Sequence, residues 1–331
     1  MKNQATVVVT GAGSSTAMGV IKGLARQKEL AVRVVSCDVE SMSAGAYLAQ
    51  AFRRVPPVSD PSYLAVMLEV CASEKADLLI PIVDAEFGLL ARNRSLFEEA
   101  GTRVAVASEE ALGICTDKEA TVRFFLSIGI AAPRTWRPED LDPRPGDFPL
   151  ILKPRLGGRG SIGVHRVDDR DEYRFHLAKA GDCIVQEFIE GDEFTMDTLS
   201  DFDGRPLAVI PRRRLEVRSG ISYKGLVVRD QEMIDLCCRI LRTLGQPGPS
   251  CIQCIIRGGV RHFIEINPRF GGGTAFTIAG AGVNTPLMLV RAALGHPMTA
   301  RIGDFRDGVT LLRYWDEVVV LPGGAGGGPW T

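Results

Sequence analysis

Ser250-Cys251-Ile252-Gln253-Cys254-Ile255-Ile256, then Arg257-Gly258-Gly259-Val260, then His262-Phe263-Ile264-Glu265-Ile266-Asn267-Pro268-Arg269 is the stretch that decides how this chain is read. Two apolar-rich runs flank a Gly-Gly pair, which predicts an antiparallel hairpin with strands over 250–256 and 262–266. Residues two apart on a strand share a face, so Gln253, Glu265 and Asn267 are expected together on one side. One carboxylate with two amide oxygens suits a magnesium or manganese ion, completed by water and substrate phosphates. Arg269, two residues on, can face the same site and counter charge on a transferring phosphoryl group. A bare polar face turned to water fits poorly with the apolar Phe263, Ile264 and Ile266 beside these residues.

Upstream, Leu150-Ile151-Leu152-Lys153-Pro154 predicts a strand, followed by Gly157-Gly158-Arg159-Gly160-Ser161 and a further strand over 162–167. A Walker loop would need its Lys-Ser/Thr at a helix start, and none follows here. A glycine-rich hairpin can instead fold over a triphosphate and donate backbone amides, with Lys153 as a fixed positive charge. Gln186-Glu187-Phe188-Ile189-Glu190-Gly191-Asp192-Glu193 mixes an apolar edge with acids at a strand end. It suits a linker that binds adenine through its main chain, with Glu193 reaching ribose hydroxyls; the alternative is a solvated acidic turn. Arg212-Arg213-Arg214 adds positive charge, and at least one of the three is expected to face the site.

The first hundred or so residues alternate strand-like and helix-like periods, which is the logic of an open, mostly parallel sheet. Strands are expected over 6–10, 32–36, 78–83 and 103–107, with helices over 17–27, 63–75 and 87–100. Val7-Val8-Val9-Thr10-Gly11-Ala12-Gly13, with Asp38 ending the next strand, has part of a dinucleotide-binding fingerprint but lacks its third glycine. It is either a nicotinamide coenzyme site or a tight βα turn whose amides hold an anion. No tyrosine has lysine four residues on, as a short-chain reductase would require. Asp84 and Glu86, at the end of the strand expected over 78–83, are candidates to hold a substrate amine, or Asp84 simply caps the helix that follows. Asp117 is expected to cap a helix ending at Leu126. Later helices are expected over 231–244 and 286–294.

The chain has 331 residues, with 39 Lys and Arg against 40 Asp and Glu, so nothing in its charge points to nucleic acid or a membrane surface. Small polar or anionic substrates follow more naturally. The start runs into a short β-type segment rather than a signal peptide, and no run reaches membrane-spanning length, so a cytoplasmic location is expected. The eight cysteines read as buried free thiols. Cys251 and Cys254 have metal-site spacing, yet on a strand they point to opposite faces and cannot ligate one ion together.

With these motifs in place, the chain resembles the ATP-grasp superfamily, and within it stand-alone relatives of the carbamoyl-phosphate synthase large subunit and biotin carboxylase. The resemblance covers about residues 1–315. It implies a mixed α/β fold with a Rossmann-like domain over 1–115, a lid subdomain over 116–186, an antiparallel-sheet catalytic subdomain over 187–320, and a flexible tail over 321–331. It also implies that Lys118 and Lys153 contact ATP phosphates, with Gly158, Gly160 and Ser161 in the lid loop. Gln186 would approach the adenine amino group, the Glu187 carbonyl and Ile189 amide would flank Phe188 as hinge contacts, and Glu193 would bind ribose. Gln253, Glu265 and Asn267 fall at the metal positions, and Arg269 at the arginine that stabilises an acyl phosphate.

Glutamine rather than glutamate at the first metal position departs from the family pattern, though carbamoyl-phosphate synthases tolerate it, and the absence of a duplicated half and of a glutamine-hydrolysing partner argues against carbamoyl phosphate synthesis itself. The expected activity is ATP-dependent joining of a carboxylate to an amine, with amino-acid-like substrates and ATP and magnesium (or manganese) as cofactors. Lys153, Arg269 and Arg214 would supply positioning and charge, and Arg213, Asp84 and Glu86 would contact substrate. A homodimer is compatible with this reading. The competing readings are a nucleotide-binding regulatory or pseudo-enzyme subunit and a nicotinamide-dependent reductase.

Overall fold

Val7, Val8 and Val9 are fully buried because they run through the middle of a five-stranded parallel sheet in the computed structural model, which describes residues 2–157, 162–218 and 220–320. This sheet comprises β1 (Gln4–Val9), β2 (Ala31–Asp38), β3 (Ala51–Arg54), β4 (Leu78–Ile80) and β5 (Arg103–Val104), in the order β3-β2-β1-β4-β5. Its helices are α1 (Ser15–Arg26), α2 (Ala44–Leu48), α3 (Tyr63–Ser73), α4 (Phe87–Arg92), α5 (Arg94–Glu99) and α6 (Glu109–Thr116). The helix expected over 87–100 is two short helices, broken at Asn93, whose backbone leaves helical geometry. α2, β3 and α6 were not anticipated.

Asp117 caps α7 (Lys118–Ser127), accepting from the amides of Glu119 and Ala120. This satisfies two amide donors that a helix start otherwise leaves unpaired. A four-stranded sheet follows, with β6 (Thr135–Trp136), β7 (Leu150–Pro154), β8 (His165–Val167) and β9 (Cys183–Glu187) in the order β6-β9-β7-β8. Helix α8 (Arg170–Leu177) covers it, and Leu150, Leu152, Val167, Tyr173 and Val185 form its own small core.

The third sheet has seven strands: β10 (Asp192–Ser200), β11 (Pro206–Arg218), β12 (Ile221–Val227), β13 (Gly248–Arg257), β14 (Val260–Asn267), β15 (Arg301–Ile302) and β16 (Thr310–Leu312). The order is β14-β13-β10-β11-β12-β16, with β15 beside β11. Helices α9 (Gln231–Leu244) and α10 (Thr285–Ala293) cover one face. β11 runs through the basic stretch Arg212–Arg214 to Arg218 and turns back as β12. Its charges pair within the hairpin, Glu216 with both Arg218 and Lys224, so a strongly charged stretch is still a strand.

The parallel and seven-stranded sheets share one continuous apolar core. Gly23 of α1 lies so close to Ile278 that a Cβ there would stand 2.4 Å from the isoleucine Cδ1, and Asn284 donates to the Gly23 carbonyl at 2.8 Å. All eight cysteines are free and buried. No helix among the described residues is long and apolar enough to cross a membrane.

Candidate active site

Directly paired residues of antiparallel strands share a face, which fixes what each sheet presents. In the four-stranded sheet, Ile151 pairs with Gln186 and Lys153 with Ile184, so Lys153 and Gln186 project from the face opposite the Leu150–Val185 core. In the seven-stranded sheet, Glu265 pairs with Gln253, Asn267 with Cys251, Gln253 with Thr195, Cys251 with Asp197, and Thr195 with Arg212. These polar side chains form one face, with α9 and the apolar core behind it. The two polar faces look at each other, and the charge of Glu265 reaches both Lys153 and Lys118.

A bulge makes this possible. The register shifts between Gln253 and Cys254, so Glu265 pairs with Gln253 while Phe263 pairs with Cys254. Simple alternation would put Phe263 and Glu265 on the same side, whereas the extra residue, Ile264, sends Phe263 into the core and Glu265 into the site. Cys254 also joins the core, and the Cys251 thiol donates instead to Asp197 at 3.2 Å on the polar face.

Lys153 is 7% exposed, and burial pulls its ammonium down to about 8, with Lys118 lowering it further and Glu265 opposing. Among the described residues its ammonium has no hydrogen-bond partner. Lys118 starts α7 and donates to the Gly157 carbonyl at 2.6 Å. Burial lowers it too, against the charges of Glu265 and Asp117. Two crowded, desolvated ammonium groups facing one carboxylate make a place where polyanionic phosphate oxygens are favoured.

Asn267 donates to Glu265, and Gln253 stands across from Glu265 in register. All three offer oxygen, and Glu265 is their only carboxylate, so the set fits a hard divalent ion that keeps waters and phosphate ligands. Arg269 follows the Pro268 turn, its amide bonded to the Asn267 carbonyl at 2.8 Å, and its Nε donates to Asp84 at 2.7 Å. Burial disfavours the charged guanidinium, but Asp84 more than compensates and holds its pKa above the ordinary arginine value.

Several expected roles change. Glu86 is completely buried and accepts from Thr10, Tyr63, and the amides of Ile82 and Val83, so it holds the end of β4 and has no surface for a substrate amine. Burial pushes its carboxyl up against those bonds. Asp84 does not cap the following helix, since no side-chain cap forms there; it pairs with Arg269. Arg213 lies on the opposite face of β11 from Arg212 and Arg214 because side chains alternate, and it pairs with Asp192 in partial exposure. Arg214 does face the site, bonded to Glu193 and to the Gly220 carbonyl at 2.8 Å. Glu193 is thereby held by a cation rather than left as a loose acidic turn.

Along the hinge, Gln186 is buried and donates to Thr135 at 2.9 Å, the Phe188 amide donates to Pro149, and Ile189 is buried. The Glu187 side chain turns away to Arg134. Gly158, Gly160 and Ser161, like the glycine-rich tail, lie outside the described residues. In the N-terminal loop, the Gly13 amide donates to Asp38 at 2.7 Å, and a Cβ on Gly45 would stand 2.3 Å from the Ala12 carbonyl. The loop amide therefore holds this chain's own carboxylate, and α2 packs against the turn.

Thr195 and Asp197 also belong to the polar face and were not singled out; Arg212 of the basic run and Cys251 stand there with them. The alternation Glu193, Thr195, Asp197 against Phe194 and Met196 was the available signal. Arg313 reaches the same region from beyond β16, and no local pattern marks it.

A family model described as "ATP-grasp in the biosynthetic pathway with Ter operon" matches residues 179–314, and one described as "PylC-like, N-terminal domain" matches 7–105. A D-alanine–D-alanine ligase from Petrotoga mobilis is 30% identical over 206 residues, covering 56% of this chain and 68% of that enzyme. One from Marinomonas sp. is 29% identical over 192 residues, so the match covers 52% of this chain and only 58% of the relative. The carbamoyl phosphate synthase large chain of Thermoplasma acidophilum is 23% identical over 262 residues, covering 72% of this chain and 25% of that one. Among solved structures, an L-amino acid ligase from Bacillus licheniformis superimposes with a TM-score of 0.72 at 18% identity, covering 94% of this chain and 79% of that one. That last likeness establishes the fold.

Proposed function

This chain belongs to the ATP-grasp family, and we propose that it joins a carboxylate to an amine at the expense of ATP, through an acyl phosphate. The observation that carries the reading is the convergence of Lys153 on one sheet with Glu265, Asn267 and Arg269 on the other. Magnesium, when bound, neutralises phosphate charge at the oxygens of Gln253, Glu265 and Asn267. Lys153 and Lys118 hold phosphate oxygens, and Gln186 with the hinge backbone orients the base. Arg269, kept cationic by Asp84, stabilises charge on the phosphoryl group as the carboxylate oxygen attacks it. Displacement by the amine then releases phosphate; no side-chain nucleophile is required. Arg214 holds Glu193 toward the nucleotide sugar.

Amino-acid-like substrates are supported by relatives whose names state that they join D-alanine to D-alanine. The test is an ADP-release screen over pairs of amino acids, followed by a carboxylate labelled with heavy oxygen. Transfer of one labelled oxygen to inorganic phosphate is expected. Product formed without such transfer would refute the acyl phosphate.

A further inference from the structure

Two guanidinium groups share one ring and one carboxylate beside the loop Gly271–Gly273. The Cζ atoms of Arg212 and Arg313 lie 5.3 and 5.4 Å from the Phe276 ring centre. Asp197 accepts from the Arg212 Nε at 2.7 Å and from the Cys251 thiol at 3.2 Å, so both its oxygens are engaged. Arg313 is anchored by its backbone amide on the Tyr223 carbonyl at 3.0 Å, and its side chain donates to the Gly272 carbonyl. Its Nε is buried and has no acceptor among the described residues. Burial and the neighbouring Arg212 lower its pKa, with Asp197 opposing. Arg313 thus stands as a second cation in a poorly solvated place beside an Arg212 already paired with Asp197 and within reach of the Glu193 charge, an arrangement that a further anion would relieve.

A Cβ on Gly272 would stand 3.1 Å from Ile221 and 3.7 Å from the Ser15 hydroxyl. Ser15 opens α1, a 12-residue helix with no acidic residue in its first turn. A Cβ on Gly273 would lie 2.1 Å from the Arg212 Nη2, which shows how closely the loop backbone rests on the guanidinium. Arg212 pairs with Thr195 and Thr195 with Gln253, so Arg212 is two strands, roughly 10 Å, from the metal-binding hairpin.

We propose that Arg212, Arg313 and the Gly271–Gly273 loop form a second anion subsite that holds a non-reacting carboxylate of a substrate, away from the phosphoryl centre. This rests on the ligase reading above and narrows its substrates to a pair of which at least one member carries a carboxylate that is not activated. The group is either the α-carboxylate of the amine or a second carboxylate on the acid, and the experiment separates these sources.

Thermal unfolding of the full chain is measured with succinate, and separately with MgADP, for wild type and Arg313→Met. Succinate is expected to raise the wild-type midpoint and to raise that of Arg313→Met at least about threefold less, while MgADP stabilises both alike. For any acid and amine pair that is turned over, Arg313→Met should raise the KM of the carboxylate-bearing substrate roughly tenfold and leave the KM for ATP unchanged. The corresponding carboxamide should show no such change, and whichever substrate responds identifies the source. An equal succinate shift in both proteins, or none in wild type, overturns the subsite. An Arg313-dependent succinate shift with no ADP release from any pair refutes the ligase reading and leaves the subsite standing. Should Arg313→Met not fold, Arg313→Gln removes the charge while keeping a polar side chain; a full succinate shift in that variant overturns the proposal.

Discussion

The Nε of Arg269 donates to Oδ1 of Asp84 across 2.7 Å, joining the end of the proposed metal-binding motif to the segment that follows β4 of the parallel sheet, 185 positions earlier in the chain. The arginine is mostly buried and the aspartate partly so, with side-chain exposures of 21% and 38%. The pair therefore both aims the guanidinium and keeps it charged.

Removing that partner should be felt in catalysis and in stability. Asp84→Ala is expected to cost about 1–3 kcal/mol of unfolding free energy, because a largely buried cation loses its counter-charge. It should also lower kcat. Arg269→Ala should lower kcat by about a hundredfold or more, the scale of one lost transition-state donor. Steady-state kinetics with denaturant unfolding checks both, and full turnover by Arg269→Ala would show the centre to be elsewhere.

Lys153 gives the pH dependence. Burial holds its ammonium at about 8, so the cation proposed to meet phosphate is present below that pH and lost above it. ATP affinity measured by calorimetry is expected to fall as pH climbs through 8, with proton uptake on binding. The same burial works against folding. Because the folded-state value is depressed, the unfolded chain binds more protons between about 8 and the ordinary lysine value, and stability rises with pH there. Lys153→Met should abolish ATP binding yet raise the unfolding midpoint at pH 7 by about 2 °C.

The proposed metal trio carries a single carboxylate, which makes its charge adjustable. Gln253→Glu adds a second carboxylate opposite Glu265 and should lower the magnesium or manganese concentration for half-maximal activity by roughly tenfold. Glu265→Ala should abolish activity at any metal concentration. A metal titration of ADP release reads both outcomes.

The loop after Arg269 is packed to its limit. A Cβ on Gly271 would lie 2.3 Å from the Cys251 sulfur but 3.6 Å from the Cys251 Cβ. Gly271→Ala should therefore destabilise by about 1–3 kcal/mol, and Cys251→Ala should relieve most of that in the double variant. Additive effects in the cycle would contradict the close approach.

Glu86 supplies the control on the substrate side. With four donors converging on a fully buried carboxyl, Glu86→Gln is expected to cost roughly 2–3 kcal/mol of stability and to leave both substrate KM values nearly unchanged. A large, selective rise in one KM would return Glu86 to the binding site.

The sequence by itself determined the hairpin, its turn at Gly258 and Gly259, the cap at Asp117, the strand Leu150–Pro154 that carries Lys153, and the grouping of Gln253, Glu265 and Asn267. Each is a local matter: a two-residue period, a turn that needs glycine, or a side chain that reaches its own helix. What only the tertiary structure decided depends on partners far apart in the chain. The bulge at Ile264 reverses the face on which Phe263 sits, and it is set by pairing with β13 rather than by composition. Glu86 and Asp84 look alike in sequence two positions apart, yet one is sealed by Thr10 and Tyr63 and the other holds Arg269. Arg212, Arg213 and Arg214 form one basic run until β11 alternates them, sending the first to Asp197, the last to Glu193, and the middle one away to Asp192 on the other face. Charge acts through space and is decided by desolvation and by whichever opposite charge the fold brings near, and neither is written in the neighbouring residues.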